Sequence, residues 1–175
     1  MRVPRDASLL VIDVQGRLVP AIAEGEAMIA NVRRLVSAAG ILKRSIAATE
    51  QNPKGLGPTL AGLVPPKTPV FEKQSFDSTL VTAFADWAEE QPALVVCGME
   101  AHVCVLQTVL GLMELDVPVF LVGDAVGSRT LANRDAAVER LRQCGAQVIT
   151  TEMAIFEWLE HCQRPEFKAV LGLVK

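Results

Sequence analysis

Three short apolar runs limit what this chain can fold into. Leu9-Leu10-Val11-Ile12, Leu94-Val95-Val96-Cys97 and the stretch from Val117 to Val122 are too short for helices. None alternates polar with apolar residues, so each reads as a strand buried on both faces. The segments between them carry a helical period. Met28, Val32, Leu35, Val36 and Ala39 form one stripe over Glu26 to Leu42. Leu80, Phe84 and Trp87 do the same over Thr79 to Glu90, and Leu131, Ala137, Val138 and Leu141 over Leu131 to Cys144. Gly145 then serves as a left-handed cap. Ser45 to Thr49, Val70 to Lys73 and Gln147 to Thr151 read as further strands, and Met153 to Cys162 as a short helix. The Pro- and Gly-rich stretch from Glu50 to Pro69 reads as a loop with one helical turn around Thr59 to Leu63. Strands alternating with helices predict an α/β fold, a parallel sheet covered on both faces in a three-layer αβα sandwich. The 175 residues read as one domain, 1–175.

Composition narrows the function. Half the residues are hydrophobic, which excludes a disordered chain. The net charge of −3 gives no electrostatic reason for a nucleic acid or an anionic membrane as partner. No apolar run is long enough to span a bilayer, and the polar start, Met1 to Asp6, does not read as a secretory signal. The apolar content then points to a well-buried sheet and to a subunit interface. The four cysteines, at 97, 104, 144 and 162, contain no CxxC pair. A chain of this size needs no disulfide framework, so the expectation is a reducing, cytoplasmic setting.

In parallel α/β folds ligands bind at the carboxyl ends of the strands. Those ends hold Asp13, Thr49-Glu50, Lys73, Gly98 to Cys104, and Asp124. Cys104 lies where a strand has turned sharply into a helix. Free N–H groups and the dipole at a helix start favour a thiolate, and the backbone amides there can hold an oxyanion. Taken singly, each residue has a plain explanation: free cysteines are commonly buried and inert, Asp is a turn former, and Lys is a surface residue. Together they supply a thiol, a carboxylate able to take its proton, and an ammonium that favours both anions. His102 and His161 lack the paired ligands of a metal centre. There is no phosphate-binding glycine loop and no serine nucleophile elbow.

These residues resemble the isochorismatase-like cysteine hydrolases. The resemblance rests on Asp13-Val14-Gln15, Thr49 to Pro53, Lys73 before Phe76, Gly98 to Val105, Asp124 to Arg129, and Glu152 to Glu157. It runs from Ser8 to Glu160. It implies a six-stranded, Rossmann-like parallel sheet and an Asp13–Lys73–Cys104 triad. It also implies a cis peptide between Met99 and Glu100, with the N–H groups of Glu100 and Cys104 as an oxyanion hole. Gln15, Gln51, Phe76 and Glu100 become the implied substrate contacts. Nicotinamidases of this family carry an Asp and His metal cluster. The matching stretch here, Thr49-Glu50-Gln51-Asn52-Pro53, has no histidine. The implied activity is therefore metal-independent hydrolysis of a small amide or related C–N bond, without a cofactor, by a homo-oligomer. Two other readings stand beside it: vinyl-ether hydrolysis of an isochorismate-like dianion, and a non-catalytic binding or scaffold protein.

Overall fold

The computed structural model describes residues 1–175. The chain runs β1 (Ser8–Ile12), α1 (Gly25–Ile41), β2 (Ile46–Gln51), α2 (Pro53–Leu56), β3 (Val70–Lys73), α3 (Thr82–Glu89) and β4 (Leu94–Met99). It continues through α4 (Leu106–Glu114), β5 (Val119–Gly127), α5 (Leu131–Cys144), β6 (Gln147–Ile149), α6 (Thr151–Leu159) and α7 (Phe167–Val174). The six strands form one parallel sheet in the order β3-β2-β1-β4-β5-β6.

Alternation along each strand, hidden in the sequence because both faces are apolar, divides the core in two. Leu9, Val11, Val95, Cys97 and Met99 pack with α1, α6 and α7 through Val32, Leu35, Ile155, Trp158 and Val170. Leu10, Ile12, Leu94 and Val96 pack with α3, α4 and α5 through Phe84, Val109, Leu112 and Leu141. The result is the expected αβα sandwich.

The departures from the sequence reading have local causes. The helical turn in the long loop is Pro53–Leu56 rather than Thr59 to Leu63. Pro53 sits in its first turn, where a fixed φ helps and the missing N–H costs nothing. Thr59 instead bridges Gln15 and gives its N–H to Glu50 Oε1 at 2.6 Å. Leu80 lies in a separate 3₁₀ turn, Ser78–Leu80, before α3 begins, and is 73% exposed rather than facing in. Leu131 opens α5 and is also exposed, while Ala137 and Leu141 are buried. β5 passes through Gly123 and Asp124 instead of ending there. It bulges, so that Leu121 faces Val96 but Val126 faces Gly98. α6 starts at Thr151, with the Thr150 hydroxyl accepting from the Met153 N–H at 3.3 Å, and stops at Leu159. Gly145 is in the left-handed region, as its cap role requires.

Candidate active site

The strand order reverses between β1 and β4, which makes a crevice at their carboxyl ends. Asp13 follows β1 directly and the segment from Glu100 to Val105 follows β4. Two backbone features bring them close. Asp13 has φ 50°, a left-handed conformation that Asp tolerates better than most residues. Gly98 has φ 124°, and a Cβ there would lie 2.7 and 2.8 Å from the backbone N and C of Ile12. Only glycine lets β4 approach β1 this closely.

Asp13, Thr49, Lys73 and Cys104 are all buried at this crevice. Lys73 Nζ lies 2.7 Å from Asp13 Oδ2, with neither side chain exposed. Thr49 Oγ1 donates to Asp13 Oδ1 at 2.7 Å. The other two ammonium donors point to Gln51 Oε1 at 3.2 Å and the Ser75 carbonyl at 3.4 Å. Strand register explains the meeting. Ile12 pairs with Thr49 and Gln51 with Lys73, so β2 stands between the carboxylate and the ammonium and binds each.

Cys104 lies in a wide turn, Ala101–Val105, between β4 and α4. The turn is wide because its hydrogen bonds span five residues: the Val105 N–H reaches the Glu100 carbonyl at 3.1 Å. Both Asp13 and Lys73 act on the Cys104 thiol. Burial pushes its pKa up from the ordinary 9.0 to about 12, and the Asp13 charge pushes the same way while Lys73 opposes. The helix start does not hold a resting thiolate. The thiol is protonated at neutral pH, with the Asp13 carboxylate acting on it. Cys97, wholly buried in β4, is also pushed up by burial, whereas Cys144 and Cys162 are exposed.

The Met99–Glu100 peptide is cis, as the resemblance implies, and the Glu100 N–H donates to no backbone carbonyl. The Glu100 carboxylate pairs with Arg129 Nε at 2.8 Å. Gln15 is fully buried. Its amide donates to the carbonyls of Gln51 (3.0 Å) and Gly57 (2.5 Å) and accepts from the Gln51 N–H (2.9 Å). With both donors engaged, Gln15 pins the loop after β2. The Gln51 side chain links Lys73 to the Gln74 carbonyl. Phe76 is half exposed beyond β3. Its carbonyl accepts from Thr108 Oγ1 at 3.4 Å, and the same hydroxyl meets Ser78 at 3.0 Å, tying that segment to α4 one turn past Cys104. Thr49 lies in a matched motif that assigns it no role, and Thr108 lies three residues beyond the motif that ends at Val105. The signal for Thr49 was its place on β2 beside Asp13, and for Thr108 its spacing of four from Cys104.

No group of three or more His, Cys, Asp or Glu side chains gathers as a metal site. No helix is long and apolar enough to cross a membrane.

The isochorismatase-domain profile matches residues 7–153. The chain is 34% identical to a secreted isochorismatase effector of Phytophthora sojae, over 99% of this chain and 86% of the other. Among solved structures, a MAR1 ribonuclease from Caenorhabditis elegans superposes with a TM-score of 0.93 at 35% identity, covering 99% of this chain and 92% of that one. The YcaC structure from Pseudomonas aeruginosa, which holds hexane-2,5-diol and covalent acrylamide, gives 0.91 at 25% identity over 98% and 91%. The fold is a hydrolase-type α/β fold. The chain belongs to the isochorismatase-domain family.

Proposed function

We propose that the chain is a cysteine hydrolase that cleaves a small amide or related C–N bond through Asp13, Lys73 and Cys104. The buried Asp13–Lys73 pair beside a thiol carries this reading. Withdrawing two charges from water costs several kcal/mol each, and an inert core cysteine gives no reason to bear that cost.

The thiol sulfur attacks the amide carbonyl as Asp13 takes its proton, and the carbonyl electrons move onto oxygen. The N–H groups of Glu100 and Cys104 receive that oxyanion. As it collapses, the amine leaves with the proton from Asp13 and a thioester remains. Water then attacks the thioester, giving its proton to Asp13. The sulfur departs and is reprotonated, and the acid is released. Lys73 places a positive charge beside whichever anion exists at each stage. Phe76 and Glu100 would contact the substrate, while Gln15 holds the loop after β2 and Gln51 holds the ammonium.

The Thr49 and Gln51 side chains bond within the triad's surroundings and Glu50 is committed to Thr59, which supports metal-independent chemistry. A thiol has no part in vinyl-ether hydrolysis, so its placement favours C–N cleavage. The net charge of −3 weighs against a polyanionic RNA substrate. Exposed Phe76 and Leu80, at 50% and 73%, support self-association, and four unpaired thiols support a reducing compartment.

The test is a screen of small amides, ureides and isochorismate against wild type and Cys104→Ala. Release of ammonia or amine by the wild type alone is expected. Turnover of isochorismate that survives Cys104→Ala would replace this reading with vinyl-ether hydrolysis.

A further inference from the structure

The turn between β4 and α4 is held from outside by one short segment of chain. Ser128 and Arg129 follow β5 directly, and Asn133 lies in the first turn of α5. Ser128 Oγ is 2.9 Å from His102 Nδ1, and Asn133 Nδ2 is 3.5 Å from His102 Nε2. Arg129 grips the Glu100 carboxylate from the same segment. Ser128 is itself immobilised. It is 1% exposed, its carbonyl accepts from the Ala23 N–H at 2.9 Å, and the preceding Gly127 pairs with Met99 of β4. An Asn133 Nδ2–H donor fits the tautomer in which His102 Nε2 accepts and Nδ1 donates to Ser128 Oγ.

His102 sits midway between Glu100, whose N–H is free of backbone partners, and Cys104. A shift confined to the Glu100 end of this turn would re-aim that N–H while the sulfur keeps its own neighbours, Asp13 and Lys73. We propose that His102 is a positioning residue: held by Ser128 and Asn133, it fixes the turn so that the Glu100 N–H meets the oxygen on which charge develops. The proposal rests on the cysteine-hydrolase reading above.

Two electrophiles separate this role from a general structural one without knowledge of the substrate. With acrylamide, the Cys104 sulfur adds to the terminal vinyl carbon. The C=C electrons pass through the amide onto its oxygen, and the α-carbon then takes the proton held by Asp13. With iodoacetamide, the sulfur displaces iodide and the amide oxygen gains no charge. Only the first reaction uses an oxyanion donor.

His102→Leu and Ser128→Ala should slow acrylamide labelling of Cys104 about tenfold, below the 10²–10³ for deleting such a donor outright. Iodoacetamide labelling should stay within about twofold, because Asp13 and Lys73, the groups that act on the thiol, are unchanged. His102→Asn, which keeps a donor near the place of Nδ1, should restore most of the acrylamide rate. Labelling is read by mass spectrometry on full-length protein, with circular dichroism and Tm recorded for each variant. Equal slowing with both reagents, no slowing with either, or no rescue by His102→Asn overturns the proposal. A wild-type Cys104 that takes neither reagent removes the hydrolase reading itself, and the clamp with it.

Discussion

Lys73 Nζ stands 2.7 Å from Asp13 Oδ2, and both side chains are wholly withdrawn from water. The two residues belong to strands that are not neighbours, β3 and the end of β1. The strand between them supplies Thr49 to the carboxylate and Gln51 to the ammonium. Four polar groups thus satisfy one another in an apolar setting, where a half-satisfied network would be costly.

Removing one partner should therefore cost more than removing both. Lys73→Met leaves a buried carboxylate without its cation, and Asp13→Asn leaves the reverse. Each should lower unfolding free energy by about 3–5 kcal/mol, while the double variant recovers much of the loss. All three should lack turnover. Denaturant unfolding of the four proteins checks this. Strictly additive losses would mean that the two charges do not act as a pair.

The thiol's acidity should move in opposite directions in these variants. Burial is the largest cause of its raised pKa, and the Asp13 charge is the next. Asp13→Asn should bring the Cys104 pKa down, and Lys73→Met should raise it further. Yet Asp13→Asn should lose activity, because the lost base matters more than a somewhat more acidic thiol. Ultraviolet titration of the thiolate gives the first quantity and substrate turnover the second. A pKa unchanged by Asp13→Asn would separate the carboxylate from the thiol.

Chelation should leave turnover intact. The stretch Thr49 to Pro53, which by the resemblance matches the metal-cluster region of nicotinamidases, has no histidine, and the Thr49, Glu50 and Gln51 side chains are each hydrogen-bonded within the protein. Activity measured before and after EDTA, with metal content by mass spectrometry, tests this. Loss on chelation and recovery with added zinc or iron would contradict it.

The sequence was most informative where one physical demand ruled. Unbroken apolar runs mean strands buried on both faces, and β3 and α5 appear with the expected bounds, Val70–Lys73 and Leu131–Cys144. Asp13, Lys73 and Cys104 could be named because each lies at a strand's carboxyl end. What stayed hidden depends on contacts between distant segments. Gln15 shows no sign in sequence that its amide is taken up by the backbone of residues 51 and 57. His102 reads as a failed metal ligand until Ser128, 26 residues later, is seen beside it. A helix start favours a thiolate, but at Cys104 burial and the Asp13 charge push the pKa up to about 12. α7 carries no side-chain cap that marks its start. Its place depends on packing Val170 into the α1–α6 face of the core.

Alkali should expose the two buried thiols through stability. Cys97 and Cys104 both have pKa values raised above the ordinary 9.0, Cys104 to about 12. Below pH 9 both thiols are protonated in the folded and unfolded chains alike, so they add no pH dependence. Above pH 9 the unfolded chain releases these protons while the folded chain retains them. Folded stability should then fall as pH rises, at about 1.4 kcal/mol per pH unit for each such thiol. For Cys104 the fall continues to about pH 12, a total on the order of 4 kcal/mol. The chain has no tyrosine, so phenol ionisation does not confuse the range. Urea unfolding of wild type and Cys104→Ala at pH 8, 9 and 10 provides the measurement. The variant starts lower, because it loses side-chain volume in the core, but its stability should decline less steeply with pH. Identical slopes would mean that Cys104 titrates in the folded protein as it does in the unfolded chain, and the case for a thiol held protonated beside its base would fall.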